Sequence, residues 1–555
     1  MRKHRANPCR RTLSAVAVAL TAAAVFPCVG SAAPNGDAAS AARLLSLAPE
    51  SAAIACVVPH LSNLAGKSLN VADRLLPPEM RNGETAHALF EGAMSACGSD
   101  GAKTFSDFLV EKGFAPDTPL ACFFDLSSPA KEAAELMETI RTEDLGIVHR
   151  KRPPAAFAAI AEYSDATSAA ASLHSLADAW QIACRNVSAQ GKTEPDGLSW
   201  PDGALGYCFA GGWIVVSNSP AFLRETIARI ESPATFGLSP EACPDLLSCD
   251  AALATRPEMI MPATPNLAPL LGYVAHVLKH EAAEKAGIIE ERDQAYRGNG
   301  LLVTTLTIAE DGIALRSRLD TRNRPALAVH SGDIPPMRLA AVLSPENMFN
   351  ASVRITAPLR RTVFDLFNLI PGFMRMREVR IAQQAADCLL ASEIAVGIAV
   401  EDGKPALFGA ARIAQGRDPR TFLKAPGTFP KTGGESGETW TFDVAGITLH
   451  ATVREDILVA ATRRDKCLEL AEAIARPGEP VFPFPLNTGI NPASILTFWS
   501  LDAPKAAHVL PLLVPELDNP GRQLLGRIGE TVREVRGIKR SDKGWQEMTL
   551  SVYLK

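Results

Sequence analysis

Two histidines have the spacing of metal ligands on one helix face. His276 and His280 are four residues apart in a segment whose apolar pattern predicts a helix, so both imidazoles could reach one metal ion. The segment lacks the glutamate of a His-Glu-x-x-His motif, and no nearby cluster supplies a third ligand. This pattern is typical of a solvated helix face, and we assign no metal ligand.

A serine and a lysine have the spacing of an acyl-transfer nucleophile. Ser128 and Lys131 match the Ser-x-x-Lys of penicillin-binding enzymes, and residues 431–433 spell their later Lys-Thr-Gly. No Ser-Asp-Asn lies between them, Pro129 indicates a turn, and the Lys-Thr-Gly falls in 427–437, a predicted surface loop. We therefore assign no catalytic residue.

The sequence contains no glycine-rich motif for binding a nucleotide cofactor. Neither Gly-x-x-x-x-Gly-Lys-Ser/Thr nor Gly-x-Gly-x-x-Gly occurs, and no Cys-x-x-Cys indicates a redox or zinc motif. Acidic residues are scattered through turns, as at Glu401 and Asp402, and nothing selects one pair as the carboxylates of a glycosidase. We assign no cofactor, although a carboxylate pair or a Ser-His-Asp cluster around His174, His276 or His450 would indicate a hydrolase.

The first residues of the chain predict export. Five cations between Arg2 and Arg11 precede an apolar run from Leu13 to Val29, and small residues follow. This order is that of a secretory signal peptide, here 1–32 with cleavage after Ala32, followed by a flexible segment at 33–42. The alternative is a retained membrane anchor, since the run approaches the length that spans a bilayer. We expect a periplasmic or extracellular protein whose mature chain does not span the membrane.

The composition is that of a folded, acidic protein. The 555 residues are 47% hydrophobic and 21% charged, which predicts several globular domains rather than disorder. Loss of the signal's five cations would take the formal net charge from −5 to −10. That sign opposes nucleic-acid binding, which depends on lysine and arginine contacts with phosphates. A basic run at 375–380 contains an acid and is typical of a solvated helix face.

Nine of the eleven cysteines remain in the mature chain, an odd number for a compartment that permits disulfides. Cys56, Cys122 and Cys208 lie in apolar runs, where cysteine is typically a small buried hydrophobe. Cys243 and Cys249 flank a proline-containing turn and form the best candidate for a local disulfide. We therefore expect apolar cores, rather than a set of disulfides, to hold the fold together.

The first half of the chain alternates short strands, glycine-containing turns and helices. A polar helical region is expected between the first strand and residue 113, Asp165 is a candidate helix N-cap, and Pro220 suits the start of a helix. The predicted strands are 52–59, 120–125, 155–163, 203–210, 213–217, 251–262, 301–308 and 313–319, and the predicted helices are 165–180, 220–230 and 267–285.

The second half repeats this order. Its predicted strands are 393–400, 406–413, 439–444, 448–452, 457–461, 495–499, 532–538 and 546–553, and its predicted helices are 465–475, 504–513 and 522–528. Leu47-Ala48-Pro49-Glu50 opens an apolar run in the first half, and Leu343-Ser344-Pro345-Glu346 opens one in the second.

Antiparallel hairpins covered by helices predict an α+β fold, present as two tandem divergent copies. The expected domains are 43–320 and 338–555, joined by a proline-rich linker at 321–337. The alternative is that two unrelated α+β domains share this coarse pattern.

The repeated opening of leucine, proline and an acid, followed by an apolar strand and a polar helix, resembles a bacterial family of exported proteins of unknown function. Copies in that family open with Leu-Pro-x-Asp/Glu and carry a hairpin that ends in two apolar residues, valine and serine. The strand 213–217 matches that ending, whereas 457–461 lacks the serine, and proline and glutamate are adjacent in both openings here. The resemblance implies an envelope location and an unassigned binding or scaffolding role, and it carries over no catalytic residue.

Two functions are therefore expected from different classes. The first is an exported, non-enzymatic envelope protein that binds or scaffolds a protein, a peptide or a lipid. The second is a hydrolase of envelope material whose site forms only in three dimensions.

Overall fold

The protein is described from a computed structural model. Its described residues up to Ser317 form one compact unit, and those from Arg318 onward form a second. With short gaps, the structure describes residues 40–75, 102–127, 155–187, 204–260, 300–322, 337–360, 377–419, 439–484, 490–513 and 519–555.

The first unit is built on one sheet. Its strands are β1 Ile54–Val58, β2 Leu120–Asp125, β3 Ala156–Glu162, β4 Cys184–Asn186, β5 Leu205–Ala210, β6 Trp213–Ser217, β7 Ala251–Thr255, β8 Leu302–Ala309 and β9 Gly312–Asp320, which continues past the unit boundary. Across the sheet they lie in the order β4, β5, β6, β3, β2, β1, β7, β8, β9. The β4–β5 pair is parallel, and every other pair with a described register in this unit is antiparallel.

Helices connect these strands and begin at residues suited to capping. They are α1 Ala41–Leu45, α2 Leu61–Leu75, α3 Phe105–Glu111, α4 Ala166–Ala179, α5 Pro220–Glu231 and α6 Pro257–Ile260. The predicted N-cap Asp165 accepts hydrogen bonds from the backbone N–H groups of Thr167 and Ser168, at 3.2 and 3.1 Å. Ser219 caps α5 ahead of Pro220, so both predicted helix starts are confirmed.

The second unit contains a sheet of similar make-up. Its strands are β10 Phe349–Arg354, β11 Glu393–Glu401, β12 Lys404–Arg412, β13 Thr439–Val444, β14 Ile447–Arg454, β15 Ile457–Ala461, β16 Ile495–Asp502, β17 Val532–Asp542 and β18 Trp545–Leu554. They lie in the order β13, β14, β15, β12, β11, β10, β16, β17, β18, with antiparallel pairing throughout. Position by position this is the strand order of the first unit, but the edge pairs differ in direction, since β4–β5 is parallel and β13–β14 is antiparallel.

The core of the second unit lies on one face of its sheet. Its helices are α7 Arg377–Leu389, α8 Arg464–Ala475, α9 Ala503–Leu513 and α10 Asn519–Thr531, and a 3-10 helix spans Leu339–Val342. Helix α8 and the 3-10 helix pack in one cluster with Phe498 of β16, which is fully buried. Their side chains in this cluster include Cys467, Leu470 and Ala471 of α8 and Leu339 of the 3-10 helix. Each such core side chain removes apolar surface from water and so stabilises the unit.

The predicted α+β class with mostly antiparallel pairing is confirmed. Strands 120–125, 213–217, 439–444 and 457–461 have the predicted bounds. The strand predicted at 251–262 is wrong beyond Thr255, because Pro257 cannot donate a ladder hydrogen bond and instead opens α6. Within the described part of the chain, no helix combines the length and the apolar character needed to cross a membrane.

Several predictions fall outside the described residues and remain predictions. They are the signal peptide 1–32, most of the segment 33–42 and of the linker 321–337, the loop 427–437, the helix 267–285 with His276 and His280, and the Ser128–Lys131 pair. The domain boundaries 43–320 and 338–555 also remain predictions.

Candidate functional site: the open sheet faces

One face of the first unit's sheet is closed to solvent. Successive side chains of a strand point to opposite faces, so residues two apart share a face. On this face Ala55, Phe123, Ile160, Val215 and Ala254 are all fully buried. Helices α1 and α5 contact these strands and cover them. We call it the sealed face.

The opposite face is only partly covered. Leu253 of β7 is 40% exposed, whereas its neighbours Ala252 and Ala254 on the sealed face are buried. Strand register places Cys56 directly opposite Leu253, and Cys122 directly opposite Cys56. We define the open face by two rows of residues that cross β7, β1, β2 and β3: Leu253, Cys56, Cys122 and Ala159, and then Thr255, Ile54, Phe124 and Phe157.

Two helices border the open face along its first row. Leu64 of α2 packs with Val58 and against Leu120, which lie one row beyond Cys56 and Cys122. Ala169 of α4 packs with Ala161 in that same bordering row. The helices therefore form a wall beside the open face and leave its two rows as the floor.

The dimensions of this floor suit an elongated apolar surface. Four strands about 4.8 Å apart span about 14 Å, and residues two apart along a strand are separated by about 7 Å. The side chains are leucine, isoleucine, phenylalanine, cysteine and alanine, with one threonine. Burying the exposed part of Leu253 alone would contribute about 1 kcal/mol to binding.

A buried carboxylate at the start of β7 is paired with a lysine of the bordering helix. Asp250, at the start of β7, accepts a hydrogen bond from the Lys67 ammonium of α2 at 2.5 Å and one from the backbone N–H of Ile308 at 2.7 Å. The Asp250 side chain is 4% exposed and that of Lys67 is 36% exposed. This pair fixes the bordering helix to the sheet without giving the floor a net charge.

The second unit has a counterpart to this surface. Val396 of β11 is 42% exposed, whereas Ala395 beside it is buried under α8. Helix α9 packs against Ile398 and Leu501 on the same face as Val396. The Trp499 ring lies over Gly537 of the neighbouring strand, and a Cβ atom at Gly537 would collide with it. The Trp499 ring therefore lies in the same cross-strand row as Val396, with Ala351 of β10 between them.

The buried charges of the second unit serve the fold. The Glu393 carboxylate accepts hydrogen bonds from the backbone N–H groups of Arg338 and Leu339 at 2.8 and 3.0 Å, and from the Ser352 hydroxyl at 3.1 Å. Burial raises the pKa of Glu393, and these hydrogen bonds act in the opposite direction. Burial also lowers the pKa of Arg354, which lies opposite Glu393 in the strand register. The carboxylate thus anchors the 3-10 helix to the sheet and has no role at the open face.

The described histidines do not form a catalytic cluster. His174 contacts the Tyr207 hydroxyl at 3.1 Å, and His450 contacts the Thr441 hydroxyl at 3.1 Å. His60 lies 2.8 Å from Asp117, but the Ser62 hydroxyl donates to Asp117 rather than to His60. Asp117 also accepts the backbone N–H of Ser62, so this arrangement caps α2.

No metal centre forms among the described residues, where His, Cys, Asp and Glu do not come together in groups of three or more. Cys243 and Cys249 are both buried and are present as thiols, so the local disulfide considered for them does not occur in the structure. Burial raises the pKa of Cys249 to about 12, which suppresses the thiolate needed for disulfide exchange. Cys56 and Cys122 are also thiols, and they are register partners on β1 and β2. That they are neighbours was not predicted from the sequence, because strand register brings together residues that are distant in the chain.

The open face could be anticipated only in part from the sequence. The run from Ile54 to Val58 is apolar at every position, which indicates a strand with apolar side chains on both faces. Which of these faces the described helices α2, α4 and α5 leave uncovered depends on where those helices pack, and short-range sequence patterns do not determine that.

No protein-family profile matches the chain, and no curated protein matches it. Among solved structures, the chain is similar to TP0453 in its crystal form III. The similarity covers 39% of this chain and 79% of that chain, at 10% identity and a TM-score of 0.24. A TM-score of that size carries no argument about this protein.

Proposed function

We propose that this protein is an exported, non-enzymatic binding protein of the cell envelope, and that its open faces bind an amphipathic segment of a partner protein or peptide. The observation that carries the proposal is Leu253, which is 40% exposed in a strand whose neighbouring side chains are buried. An apolar floor beside a wall of two helices is a surface that a partner would shield from water.

The open geometry favours a peptide over a lipid. A sheet face contacts a ligand from one side, so an acyl chain lying on it would keep much of its surface in water, whereas small-molecule sites enclose most of their ligand. An amphipathic helix has one apolar stripe to bury and a polar side that stays solvated. Its diameter of about 10–12 Å also suits a floor about 14 Å across.

We further propose that the two units are divergent copies of one module. Their strand orders agree at all nine positions, although β4 pairs parallel and β13 antiparallel with its neighbour. In both units a helix follows the strand that ends the β5–β6 or β14–β15 hairpin. Duplication would explain why Leu253 and Val396 both lie exposed on the less covered face of their sheets. A protein with two such faces could bind two segments of one partner and gain affinity from their linkage.

Export is proposed from the basic and apolar pattern of residues 1–32, as in the resemblance to exported bacterial proteins. The acidic formal charge expected of the mature chain accords with a protein that does not bind nucleic acid.

Site-specific photo-crosslinking tests the binding proposal. A benzophenone amino acid is placed at Leu253 or Val396 of the full-length protein in its own cells, and cross-linked products are identified by mass spectrometry. The matched controls are Leu247, which is 60% exposed on a 3-10 helix, and Leu468, which is 37% exposed on α8. Both controls are exposed leucines outside the open faces.

We expect one polypeptide sequence to be cross-linked at positions 253 and 396 and absent from positions 247 and 468. Lipid adducts at the open faces, or equal labelling at all four positions, would contradict the proposal. The hydrolase alternative gains no support from the described residues, since their closest resemblance to a triad, at His60, has the serine bound to aspartate.

A further inference from the structure

Two cysteines of the open face lie directly opposite each other on neighbouring strands. Cys56 of β1 and Cys122 of β2 are register partners in an antiparallel pair, and their side chains point to the same face. Among the described cysteines with a strand register, no other two are partners of each other. The two residues are 66 positions apart in the chain, so only the fold brings them together.

The geometry of the strand pair meets the requirements of a disulfide. Opposed residues of antiparallel strands have Cα atoms about 4.5–5.5 Å apart, and disulfides join Cα atoms about 4.4–6.8 Å apart. Both cysteines are thiols in the structure, and register partners have a Cα separation that a disulfide can bridge. The flanking residues in their row are Ala159 and Leu253, and the alanine leaves room beside Cys122.

The surroundings of the two thiols determine how the bond would form. Cys122 is 8% exposed, and burial together with the neighbouring Cys56 raises its pKa to about 12. Burial also raises the pKa of Cys56, which is the more exposed of the two. Thiolate is therefore scarce at neutral pH, so spontaneous oxidation is slow and the reaction depends on a disulfide oxidant.

We propose that Cys56 and Cys122 form an intramolecular disulfide across β1 and β2 in the exported protein, in the floor of the open face. This inference rests on the export proposed above, because oxidising compartments maintain such bonds. The crosslink would fix the two central strands beneath the bound segment.

The reaction balances as two thiol–disulfide exchanges with a small-molecule or protein disulfide. The Cys56 thiolate attacks one sulfur of the oxidant, forms a mixed disulfide and releases the first thiolate. The Cys122 thiolate then attacks the Cys56 sulfur, forms the intramolecular bond and releases the second thiolate. Two electrons pass from the cysteines to the oxidant, and the two protons lost by the cysteines are taken up by the released thiolates.

Peptide mapping tests this directly, because each cysteine lies alone in its tryptic peptide. Cys56 belongs to the peptide 44–67 and Cys122 to the peptide 113–131. Full-length protein from its own envelope is denatured with a thiol-blocking reagent, without reductant, and then digested. Reduced protein made without the signal segment is treated in parallel with glutathione disulfide. Cys56→Ser and the control Cys243→Ser are mapped in the same way.

We expect peptides 44–67 and 113–131 to be joined in both preparations, to separate on reduction, and to be joined in C243S but not in C56S. Full blocking of both cysteines in both preparations would overturn the inference on geometric grounds. A bond formed with glutathione disulfide but absent from the envelope preparation would also overturn it, and would place the failure in the proposed export. Neither result depends on whether a peptide binds the open face.

Discussion

Removing the carboxylate of Glu393 should destabilise the second unit strongly. This side chain is 2% exposed and accepts three hydrogen bonds, two from the backbone of the 3-10 helix and one from Ser352. In Glu393→Ala these donors lose their acceptor, and Arg354, which is 3% exposed, loses its opposite charge. A buried donor left without its acceptor costs about 1–3 kcal/mol, and three donors lose theirs here, so we expect a loss of stability of about 3–5 kcal/mol.

A matched control lies at the other end of the same strand. Glu401 forms an ion pair with Arg463 at 2.8 Å, with side chains 28% and 47% exposed. Ion pairs exposed to solvent in this way contribute little to stability, so Glu401→Ala should have little effect. Both variants remove a glutamate from β11, but only Glu393 is buried. The difference between their stability losses therefore measures the contribution of the buried carboxylate.

Hydrogen exchange in urea, read by mass spectrometry on peptides covering β10 and β11, measures this unit by itself. With a urea dependence of about 2 kcal/mol per M, the Glu393→Ala midpoint should fall by about 1.5–2.5 M. A shift no larger than that of Glu401→Ala would refute the reasoning, because the buried network would then contribute no more than a surface pair.

The pH dependence provides a second check. Burial raises the pKa of Glu393 in the folded protein above its unfolded value of about 4.3. A carboxyl with a raised pKa binds its proton more tightly in the folded state, so its contribution is full below pH 4.3 and falls as the pH rises through the folded pKa. The stability difference between wild type and Glu393→Ala should therefore narrow from acidic to neutral pH.

Further changes test individual parts of the account. Gly397→Ala should destabilise the protein by about 1–3 kcal/mol in urea unfolding, since the new Cβ would collide with the Phe408 ring, and an unchanged midpoint would contradict that packing. Gly526→Ala should stabilise α10 by up to about 1 kcal/mol, because a Cβ there meets no atom within 4 Å, and a loss of stability would contradict this. Asp165→Ala should lower the melting temperature at neutral pH, since the Ser168 hydroxyl and backbone N–H groups hold the Asp165 pKa below its usual value. That stabilisation is present above about pH 3.9 and is lost as the pH falls through the folded pKa, so a constant difference across this range would refute the capping role.

Much of the local structure could be predicted from the sequence, because alternation and turn residues act over short distances. The strands 213–217 and 457–461 are apolar and bounded by turns, and their bounds are as predicted. Helix α6 shows the limit, since the run after Ala251 is apolar enough to suggest a strand but Pro257 ends it.

Long-range features could not be predicted in this way. The parallel pairing of β4 with β5, the two faces of β7 and the Cys56–Cys122 pairing all depend on which strands become neighbours. A strand shifted by one residue would move Leu253 to the sealed face, and sequence alone does not fix that register.

The binding proposal is tested most directly by native mass spectrometry. Full-length wild type, Leu253→Asp and Leu247→Asp are each purified gently from the protein's own envelope. Placing a charge on the floor of the open face should weaken binding at least tenfold, a loss of about 1.4 kcal/mol or more. The account predicts an added polypeptide mass on the wild type and on L247D, and its loss from L253D. A lipid-sized added mass, a bare wild-type protein, or an added polypeptide that persists on L253D would contradict it.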